Sequence, residues 1–553
     1  MIEHVVLVGL SGSGKSTTAQ ELATLLGWKV ADLDALIERK TGRSIPDIFR
    51  ADGEAAFRQI EGAVFREVLA EANLVIATGG GAVIDSAIWQ EQWLGHPRVL
   101  TVWLDASTST LVDRLMAQAA SEGDRATRPL LEGDAVARIE AMRQNRLSAY
   151  SRAQLTVDVT SGTPVQVAVD IAELASLASG CPSSFELQVE SARSNISVGP
   201  GVRVMLADEI HRVTPGARQV FIAVDQSVRP HVSSLLGGLE ATLGLPVHVR
   251  SVPSGEGSKS VEGLSALWDW MLAAGIQRGD VVVALGGGVV GDLVGFAAAT
   301  VLRGVALVQV PTTLLSMVDS SVGGKTAINH STGKNLIGAF HQAGSVLIDP
   351  QLLATLPARE CQSGWAEIIK HAVIEPSTPG GNPSVLLDVL ERNQLRLSAL
   401  EEPLLSWVIR RNVALKAAVV AADEREAGIR AFLNFGHTIG HGIEAAGYSL
   451  LHGEAIAVGI SAALEVALQM DLIDLAFATR IRELLVAYGL PIMATVDPKV
   501  VLQKMQSDKK KDGGRQKWVL PVRTGGVEIR SDVPDDVVWH AICSVTNPVA
   551  VPC

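Results

Sequence analysis

The sequence predicts an α/β protein with two successive α/β regions followed by a mostly helical one. Three observations support this prediction. A glycine-rich turn at residues 9–16 follows a short apolar run, and a second turn at 286–292 does the same far along the chain. Such turns join a buried strand to a helix and bind phosphate. Beyond Pro357 strand-like runs nearly vanish, and helical patterns continue to about Leu490. Two phosphate-binding turns so far apart imply two active centres.

The length and composition agree with several packed domains. A chain of 553 residues exceeds what one hydrophobic core normally serves, so we expect two or three domains. Hydrophobic residues make up 47% and charged residues 19%, which favours folded domains over disorder. The most apolar stretch, 296–318, contains Arg303 and Pro311, so it predicts a buried strand and its flanks. We expect no membrane span, and a strand so near the start leaves no room for a signal peptide.

The net charge and the cysteine pattern limit which classes of binding partner and which cellular compartment are expected. The net charge of −12 argues against nucleic acid or an anionic membrane as the main partner. Small anionic substrates remain compatible with it, because local basic clusters can form positive pockets. The four cysteines form no CxxC pair, so neither a zinc-thiolate site nor a disulfide framework is expected. Reduced thiols and a cytoplasmic location are the simplest interpretation.

The first region alternates strands and helices. Buried parallel strands are predicted at Val5–Leu10, Leu74–Ala77 and Val99–Leu104, and a closing helix at Pro164–Ala178. We therefore assign residues 1–178 to the first domain. The Gly/Pro/Ser-rich stretch that follows predicts a linker over 179–187.

The second region also alternates strands and helices, and a mostly helical region follows it. Its domain is expected over 188–356, and a helical domain over 357–553. A late hairpin is predicted on the helical domain at Trp518–Val522 and Gly526–Ile529. Strands of the second region are predicted at Val220–Val224, Val281–Leu285, Ala306–Val310 and Val346–Ile348.

The turn at residues 9–16 is a complete nucleoside-triphosphate P-loop. Its backbone N–H groups and the following helix N-terminus point at phosphate, Lys15 adds a positive charge, and Ser16 supplies a hydroxyl to Mg²⁺. The motif alone does not separate a kinase from a GTPase or an ATPase. The candidate ATP-binding residues are Gly12, Ser13, Gly14, Lys15, Ser16 and Thr17.

The residues after the P-loop favour a small-molecule kinase. Asp32 and Asp34 end the next short strand, where carboxylates can reach a metal and a substrate hydroxyl. Residues 78–81, Thr-Gly-Gly-Gly, end another strand with bare backbone that permits a ligand to approach closely. Arg125 and Arg128 lie in a polar segment suited to a mobile lid.

Residues 1–178 resemble the shikimate kinase family through the segments GLSGSGKS, DLD, IERKTGRSIPDIF, GEAAFR, TGGG and RPLL. The resemblance implies a P-loop domain with a parallel sheet and flanking helices. It also implies ATP with Mg²⁺ held at Ser16 and Asp32, and Arg128 on the ATP phosphates. Shikimate would be bound by Asp34, Arg58, Gly80 and Arg146. Considered singly, Asp32 is equally consistent with an ordinary carboxylate at a strand end. Arg146 is equally consistent with an exposed ion pair on a helix.

The second turn binds phosphate in a less common setting. Gly286, Gly288 and Gly291 satisfy GxGxxG after a predicted strand. The acidic ribose partner expected about 20 residues later is missing, because no acid occurs between Asp292 and Asp319. An ordinary Rossmann dehydrogenase is therefore a poor fit.

The helical region contains a candidate metal centre. His437 and His441 lie one turn apart on one helix face, with His452 downstream and Glu367 upstream. Two histidines, a carboxylate and open positions describe a catalytic zinc site. A histidine pair at this spacing, without further ligands, more often lies on the protein surface and binds no metal. Support comes from the many basic groups in this half: Arg303, Lys325, Lys334, Lys370, Lys416, Arg430 and the run 509–511.

Residues 188 to about 545 resemble the 3-dehydroquinate synthase family through SGEGSKS, LGGGVVGD, RGV, VPTTLLSMVDSSVGGKTAIN, GKNLIGAF, GWAEIIKH, DEREAGIRAFLNFGHTIGH, HGEAIAVG and DKKKDGG. This implies a Rossmann-like NAD-binding α/β domain and a helical metal-binding domain. Ser254 replaces an acid usual in the family.

The resemblance also implies residue roles. Zn²⁺, or Co²⁺, would be held by Glu367, His437 and His452, with His441 beside it. NAD contacts map to Ser254, Gly255, Glu256, Gly257, Ser258, Lys259, Gly288, Val289, Val290, Gly291, Asp292, Thr312 and Thr313, together with Lys325 and Lys334. Catalytic and substrate groups map to Lys325, Lys370, Lys416, Asn434, Arg303, Asp319, Asn335 and Arg430, with Lys510 chosen from the lysine run.

The sequence thus predicts a fusion of two shikimate-pathway enzymes. Its substrates would be shikimate and 3-deoxy-D-arabino-heptulosonate 7-phosphate, and the family resemblance implies a homodimer through the synthase half. One alternative pairs another sugar-phosphate cyclase, or a glycerol-dehydrogenase-like enzyme, with a gluconate-type kinase. Another is a nucleotide-sensing scaffold with one inactive half, which predicts broken site residues, and none is found.

Overall fold

The computed structural model describes residues 1–84, 86–122, 134–160, 162–381, 385–447, 449–509 and 516–547. It confirms the α/β class with a helical C-terminal region. The chain divides into two compact units. Unit 1 contains Met1–Cys181 and Asp388–Trp407, and unit 2 contains Pro182–Leu387 and Val408–Cys553. Among the described residues, no helix is both long and apolar enough to cross a membrane.

Unit 1 is built on a five-stranded parallel sheet in the order β2-β3-β1-β4-β5. Its strands are β1 His4–Val8, β2 Lys29–Asp32, β3 Leu74–Ala77, β4 Val99–Asp105 and β5 Leu155–Asp158. Its helices include α1 Lys15–Leu26, α2 Leu33–Thr41, α3 Ile45–Val68, α4 Thr108–Glu122, α5 Ala135–Tyr150 and α6 Pro164–Ala178. The strands predicted near residues 5, 74 and 99 and the helix at 164–178 are confirmed.

The central strands of this sheet are mostly apolar and are buried along their whole length, as is typical of strands covered on both faces. Helix boundaries follow local chemistry. Gly14, in the left-handed region, precedes α1, and Asp32 caps α2 by accepting a hydrogen bond from the Ala35 N–H. Since the strands are parallel, the carboxyl ends of β1, β2 and β3 meet at one edge, which gathers the predicted kinase motifs.

Unit 2 contains a seven-stranded sheet in the order β6-β7-β14-β11-β10-β8-β9, with β6 antiparallel and the other strands parallel. A separate hairpin pairs β12 with β13. The strands are β6 Ser183–Gln188, β7 Arg193–Val198, β8 Val220–Asp225, β9 Val247–Val252, β10 Val281–Gly286, β11 Ala306–Pro311, β12 Lys325–His330, β13 Gly333–Phe340 and β14 Ser345–Ile348.

The predicted linker over 179–187 is wrong in its second half, because β6 begins at Ser183. Its serines suggested a flexible connection. In the sheet, however, the Ser184 and Ser197 hydroxyls bond across the strands at 2.8 Å, and Leu187 is buried. The polar side chains are therefore satisfied within the pair of strands.

Helices α11, α15, α17 and α19 pack against α16, which is buried along nearly its whole length. An added Cβ at Gly459 would lie 2.1 Å from the Gly436 carbonyl oxygen, so the glycine permits α15 to pack closely. The later helices are α7 Leu206–Val213, α8 Ser233–Leu243, α9 Val261–Ala273, α10 Gly288–Thr300, α11 Ala358–Ile374, α12 Val385–Arg392, α13 Gln394–Ser398, α14 Leu404–Ala422, α15 His437–Ala446, α16 His452–Gln469, α17 Leu475–Ala487, α18 Pro498–Lys509 and α19 Asp535–Val545.

The short elements complete the structure. The late hairpin is confirmed as β16 with β17, and β15 pairs with β18. Residues 388–407 group with unit 1, which differs from the single domain predicted over 357–553. The strands are β15 Ala494–Thr495, β16 Trp518–Pro521, β17 Val527–Arg530 and β18 Thr546–Asn547, and the single-turn helices are Ser86–Trp89, Val202–Met205, Arg229–Val232, Glu256–Ser258, Val301–Arg303, Ser316–Ser320, Pro350–Thr355, Glu375–Ser377 and Ile429–Asn434.

Candidate active sites

The P-loop of unit 1 is folded back on its own lysine. Lys15 Nζ donates to the carbonyl oxygens of Gly9 and Leu10, both at 2.9 Å. An added Cβ at Gly9 would lie 2.4 Å from the Leu104 carbonyl oxygen, so only glycine fits there. The surrounding loop shields the ammonium from water and lowers the pKa of Lys15 to about 8. Phosphate oxygens can replace these carbonyl acceptors.

Oxygen ligands lie beside the P-loop. The Ser16 hydroxyl donates to Asp32 Oδ2 at 2.7 Å. Hydroxyl, carboxylate and phosphate oxygens together are the ligands that Mg²⁺ prefers in nucleotide sites. Thr17 is exposed in the first turn of α1, and Ser13 is buried in the loop. Arg125 and Arg128 lie outside the described residues.

The glycine run at 79–81 is the meeting point of the predicted shikimate residues. Arg146 Nη1 donates to the Gly80 carbonyl oxygen at 2.8 Å. A Cβ added at Gly79 would lie 2.8 Å from Asp34 Oδ1, and one at Gly81 would lie 2.2 Å from Arg58 Nη2. An acid and two guanidinium groups therefore line bare backbone at the edge that carries the P-loop.

Two further residues of this site have no place in the sequence prediction. Arg58 Nη1 donates to Glu61 Oε2 at 2.6 Å, and Glu61 is 3% exposed. The Tyr150 hydroxyl donates to the Gly80 carbonyl oxygen, beside Arg146. Helical spacing carried both signals, since Glu61 is three residues after Arg58 and Tyr150 is four after Arg146.

The acids of the cleft hold their protons more strongly than usual. Loss of hydration, followed by repulsion from Asp32, raises the pKa of Asp34. Burial likewise raises the pKa of Glu61. A carboxylate with a raised pKa is a better proton acceptor, which suits a group beside a reacting hydroxyl.

In unit 2 the predicted metal ligands come together. His437 Nε2 and His452 Nε2 both lie 3.6 Å from Glu367 Oε1. These three residues form a group whose ligand atoms lie within 4.8 Å of one another. Glu367 is fully buried, and its Oε1 has no hydrogen-bond partner in the described part of the chain. A buried oxygen without a partner, facing two imidazoles, fits a divalent cation such as Zn²⁺.

The charges around this group are strongly coupled. Burial opposes ionisation of Glu367, but the Lys370 ammonium and the His437 imidazole outweigh it and hold its pKa well below the usual range. Burial lowers the pKa of His437 to about 3. Burial also opposes charge on His452, yet Glu367 and Glu444 raise its pKa to about 10. A cation would replace that proton, because metal ligation requires a neutral imidazole.

His441 and Glu444 border the metal ligands. The His441 ring centroid lies 5.1 Å from that of His437 and 6.1 Å from that of His452. Glu444 accepts from Lys334 Nζ at 2.6 Å and contacts His452 Nδ1 at 3.1 Å. A carboxylate on the outer nitrogen of a ligating histidine fixes the orientation of the ring. The sequence prediction did not include Glu444.

Buried cations flank the metal group. Lys370 and Lys416 are 1% and 6% exposed. Lys416 Nζ donates to Asp319 Oδ1 at 2.8 Å, and His371 Nε2 lies 3.9 Å from the same oxygen. Although burial opposes it, Lys416 and Lys370 hold the pKa of Asp319 below its usual range. Burial lowers the pKa of His371 to about 3.

A second acid missed by the sequence prediction joins two of the predicted residues. Glu426 pairs with Lys325 Nζ, and its Oε1 accepts from Asn434 Nδ2 at 2.8 Å. Arg430 donates to the Gly323 carbonyl oxygen at 2.9 Å, so it borders the same pocket. These polar groups leave cationic and amide donors for an anionic substrate.

The glycine-rich turn of unit 2 opens α10. An added Cβ at Gly287 would lie 2.9 Å from Thr313 Cγ2, and one at Gly288 would lie 3.1 Å from Ser320 Oγ. The bare backbone and the helix N-terminus fit a pyrophosphate. The Thr312 hydroxyl is buried without a partner among the described residues. Gly291 packs on Gln309, and Val290 is buried against Gly286, so these two residues and Val289 line the helix start.

The other predicted NAD residues lie in two hydrogen-bonded groups. Lys259 Nζ donates to Asp292 Oδ2 and Asn335 Oδ1, both at 2.5 Å. The Ser254 hydroxyl donates to Asp225 Oδ1 at 2.5 Å. Asp225 ends β8, which pairs with β10. An acid at the end of a neighbouring strand is suited to a ribose hydroxyl. Asp225 lies upstream of the glycine-rich turn, whereas the sequence motif predicts this acid downstream of it.

The structure does not bring Arg303 to this pocket within the chain. Arg303 is exposed and lies between α10 and β11, whose first residue pairs with the first residue of β10. The 13 residues of α10 span about 20 Å. Arg303 therefore lies at the sheet edge opposite Gly288. Lys510 lies outside the described residues.

Comparisons with known proteins match a family to each of the two parts of the chain. A shikimate kinase family model matches residues 11–175. Models of the 3-dehydroquinate synthase N-terminal and C-terminal domains match 249–363 and 364–511. The 3-dehydroquinate synthase of Symbiobacterium thermophilum is 41% identical over 358 residues, which are 64% of this chain and 98% of that protein.

Two solved structures resemble unit 2. One is ValA, a 2-epi-5-epi-valiolone synthase from Streptomyces hygroscopicus subsp. jinggangensis 5008 with NAD⁺ and Zn²⁺ bound. It has a TM-score of 0.59 and 28% identity, covering 65% of this chain and 98% of that one. The other is 2-deoxy-scyllo-inosose synthase complexed with carbaglucose-6-phosphate, NAD⁺ and Co²⁺, with a TM-score of 0.55 and 25% identity, covering 66% and 100%. The chain therefore belongs to the 3-dehydroquinate synthase family and carries a shikimate kinase domain, so that one polypeptide combines a kinase and a lyase of the shikimate pathway.

Proposed function

We propose that unit 1 transfers the γ-phosphoryl group of ATP to the 3-hydroxyl of shikimate at the edge formed by the P-loop and Gly79–Gly81. The observation that carries this proposal is the convergence of Asp34, Arg58 and Arg146 on that glycine run. The two guanidinium groups bind the substrate carboxylate, and Asp34 orients the attacking hydroxyl and accepts its proton.

The P-loop and the adjacent Asp32 bind the phosphate groups of ATP and their Mg²⁺ ion. Lys15 leaves the carbonyl oxygens of Gly9 and Leu10 and binds the transferred phosphoryl group. Ser16 and Asp32 hold Mg²⁺, directly or through water, which neutralises phosphate charge. Phosphoryl transfer requires mainly positioning and charge neutralisation, and these residue types supply both.

A product assay tests the kinase proposal. Purified protein with ATP and Mg²⁺ should form ADP and shikimate 3-phosphate in equal amounts, and only when shikimate is present. ADP formation independent of shikimate would indicate an ATPase instead. Phosphorylation of gluconate in preference to shikimate would favour the gluconate-type kinase.

We propose that unit 2 converts 3-deoxy-D-arabino-heptulosonate 7-phosphate to 3-dehydroquinate and phosphate. The carrying observation is the group of Glu367, His437 and His452 beside buried Lys370 and Lys416. Zn²⁺ or Co²⁺ on these ligands supplies Lewis-acid chemistry at the substrate oxygens. NAD at the glycine-rich turn supplies a reversible hydride acceptor that is regenerated within each cycle.

The side chains of unit 2 divide the remaining work. Cationic Lys325, Lys416 and Arg430 bind the carboxylate and phosphate of the substrate in a poorly hydrated pocket, which strengthens each contact. Asp225, with Ser254, binds the ribose of NAD, and Lys259 and Asp292 border the cofactor. His441 lies beside the metal ligands as a proton donor or acceptor.

Phosphate release tests the synthase proposal. The heptulosonate should yield one phosphate per 3-dehydroquinate with no net NADH. Accumulating NADH would favour a glycerol-dehydrogenase-like reaction. Cyclisation of another sugar phosphate in preference would favour a different cyclase, such as those in the two solved structures. The 41% identity to a 3-dehydroquinate synthase, against 28% to the valiolone synthase, favours the heptulosonate.

We infer that the protein is a cytoplasmic homodimer that pairs through unit 2. Support comes from the family resemblance and from exposed apolar side chains on β13, namely Leu336, Ile337 and Phe340. Light scattering on the purified protein tests this inference. A mass of one chain at micromolar concentration would contradict it, and fractionation would test the location.

A further inference from the structure

Two arginines within residues 388–407 contact unit 1 at the ends of β4 and β5 and at the turn that follows helix α5. Arg392, the last residue of α12, donates to Asp105 and, at 2.6 Å, to Asp158. Arg396 on α13 donates to the Ala153 carbonyl oxygen at 2.6 Å. All five residues belong to unit 1. The arginines nevertheless lie outside residues 11–175, which the kinase family model matches.

Asp105 links Arg392 to the helix that carries Arg146. The Asp105 carboxylate is 3% exposed and also accepts a fork from Arg143, with Nη2 at 2.7 Å and Nε at 3.4 Å. Arg143 lies on α5, one turn before Arg146. A single buried carboxylate therefore joins α5 to Arg392.

Arg396 acts at the other end of the same helix. α5 ends at Tyr150, and the Ala153 N–H donates to the Tyr150 carbonyl oxygen at 3.0 Å. Arg396 thus holds the turn that terminates α5. The Tyr150 hydroxyl and Arg146 both donate to the Gly80 carbonyl oxygen. The two arginines therefore fix both the middle and the end of the helix behind Gly80.

The planar guanidinium explains why arginine is suited to this position. Arg392 reaches two carboxylates from different strands at once, which a point-charge ammonium does less well. Without Arg392, Arg143 is the one cation left on the buried Asp105 among the described residues, and the guanidinium that joins Asp105 to Asp158 is lost. Small displacements of substrate-binding groups have large effects on productive binding.

We propose that Arg392 and Arg396 are positioning residues of the kinase, which hold α5 so that Arg146 meets the substrate carboxylate. The proposal rests on the shikimate site proposed above. It predicts that residues located in the synthase part of the sequence tune the affinity of the kinase for shikimate.

Steady-state kinetics on the full-length protein test this role. Arg392→Ala and Arg396→Ala should each raise the KM for shikimate about fivefold to tenfold, with the KM for ATP and kcat within about twofold of wild type. Arg392→Lys should give a smaller rise, of about twofold to threefold. It serves in place of Arg392→Ala if that variant does not fold. Arg523→Ala is the matched control, because Arg523 is an exposed arginine of unit 2 paired with Asp471.

The outcomes separate this role from the assignment of the site. A shikimate KM unchanged in both alanine variants would overturn the positioning role, as would equal rises in the KM for both substrates. Wild-type protein without shikimate-dependent ADP formation would overturn the kinase assignment and the positioning role with it. An unfolding transition of unit 1 close to that of wild type reports whether the kinase part of each variant is folded, and heptulosonate conversion reports the same for unit 2.

Discussion

The two sites satisfy their charges in opposite ways. In unit 1, Ser16 is exposed, and within the described part of the chain Lys15 Nζ donates only to the carbonyl oxygens of Gly9 and Leu10. In unit 2, Glu367 and Lys370 are buried and face each other. The kinase site therefore obtains its charge compensation from the nucleotide and substrate. The synthase site obtains much of it during folding, since a buried charge needs a partner.

Because of this difference, substitutions in the two sites should differ in how they affect activity and stability. Removing the charge of Lys15 or Asp34 should lower kinase activity and leave stability nearly unchanged, because burial already opposes ionisation of both groups. Removing a charge from the synthase site should lower both, because its partner remains buried.

The largest effect is expected for Glu367→Ala. It removes a metal ligand and leaves Lys370 buried without its partner, which lowers the free energy of unfolding of unit 2 by about 3–5 kcal/mol. Phosphate release should fall by at least about 10³-fold, because both metal binding and charge positioning are lost. Calorimetry with a phosphate assay measures both. Glu360→Ala, an exposed position on the same helix, should leave both unchanged, and an unaltered transition in Glu367→Ala would contradict the contrast.

Asp34→Asn should lower kinase kcat by about 10²–10³-fold, because the proton acceptor is lost. The pKa of Asp34 is raised in the folded protein, so ionisation of this carboxyl at neutral pH opposes folding. The substitution should therefore leave the melting temperature unchanged or slightly higher. A clear drop in the melting temperature would show that Asp34 belongs to a structural network. Asp47→Asn, on the exposed start of α3, is the control.

Metal removal should affect the two units unequally. Saturating Zn²⁺ at about 100 times its dissociation constant stabilises the state that binds it by about 2.7 kcal/mol. Protein from which Zn²⁺ has been removed, and to which Mg²⁺ has been restored, should thus show a lower unfolding transition for unit 2 and unchanged ATP binding in unit 1. Glu367→Ala should show no Zn²⁺-dependent shift. A Zn²⁺ shift of equal size in that variant would place the metal elsewhere.

The smallest effect concerns pH. The pKa of Lys15 is lowered to about 8, and only the protonated ammonium attracts phosphate. The kinase kcat/KM for ATP should therefore decline as the pH rises through about 8, approaching tenfold per unit. Bound phosphate raises this pKa, so the decline in kcat should begin at higher pH. Lys15→Arg should remove the decline near 8, and persistence of the decline in that variant would assign it to another group.

The sequence predicted the parts of both sites that have local signatures. The P-loop, the strand ends at Asp34 and Gly80, and the histidine spacing at 437 and 441 each impose a pattern over a few residues. Apart from Glu61 and Tyr150, which follow predicted arginines at helical spacing, the residues that it missed are single acids. Glu444 meets Lys334 across 110 positions, and Asp225 ends a strand that lies upstream of the glycine-rich turn. A lone acid carries no spacing that predicts such a partner.

The errors in the predicted fold have a similar cause, because they also concern contacts between residues that are distant in the sequence. Ser183 and Ser184 read as a linker because serine favours turns, yet pairing with β7 satisfies their polar groups. Residues 388–407 follow helical patterns like their neighbours, so nothing in the sequence separates them from the synthase helices. They group with unit 1, and the contacts of Arg392 and Arg396 with that unit arise only in the folded chain.

The central claim is that one chain carries two active sites that work independently. Both activities should be measured on wild type, Lys15→Ala and His437→Ala. We predict that Lys15→Ala abolishes shikimate phosphorylation and keeps heptulosonate conversion within about twofold of wild type, and that His437→Ala does the reverse. Loss of both activities in either folded variant would contradict the account.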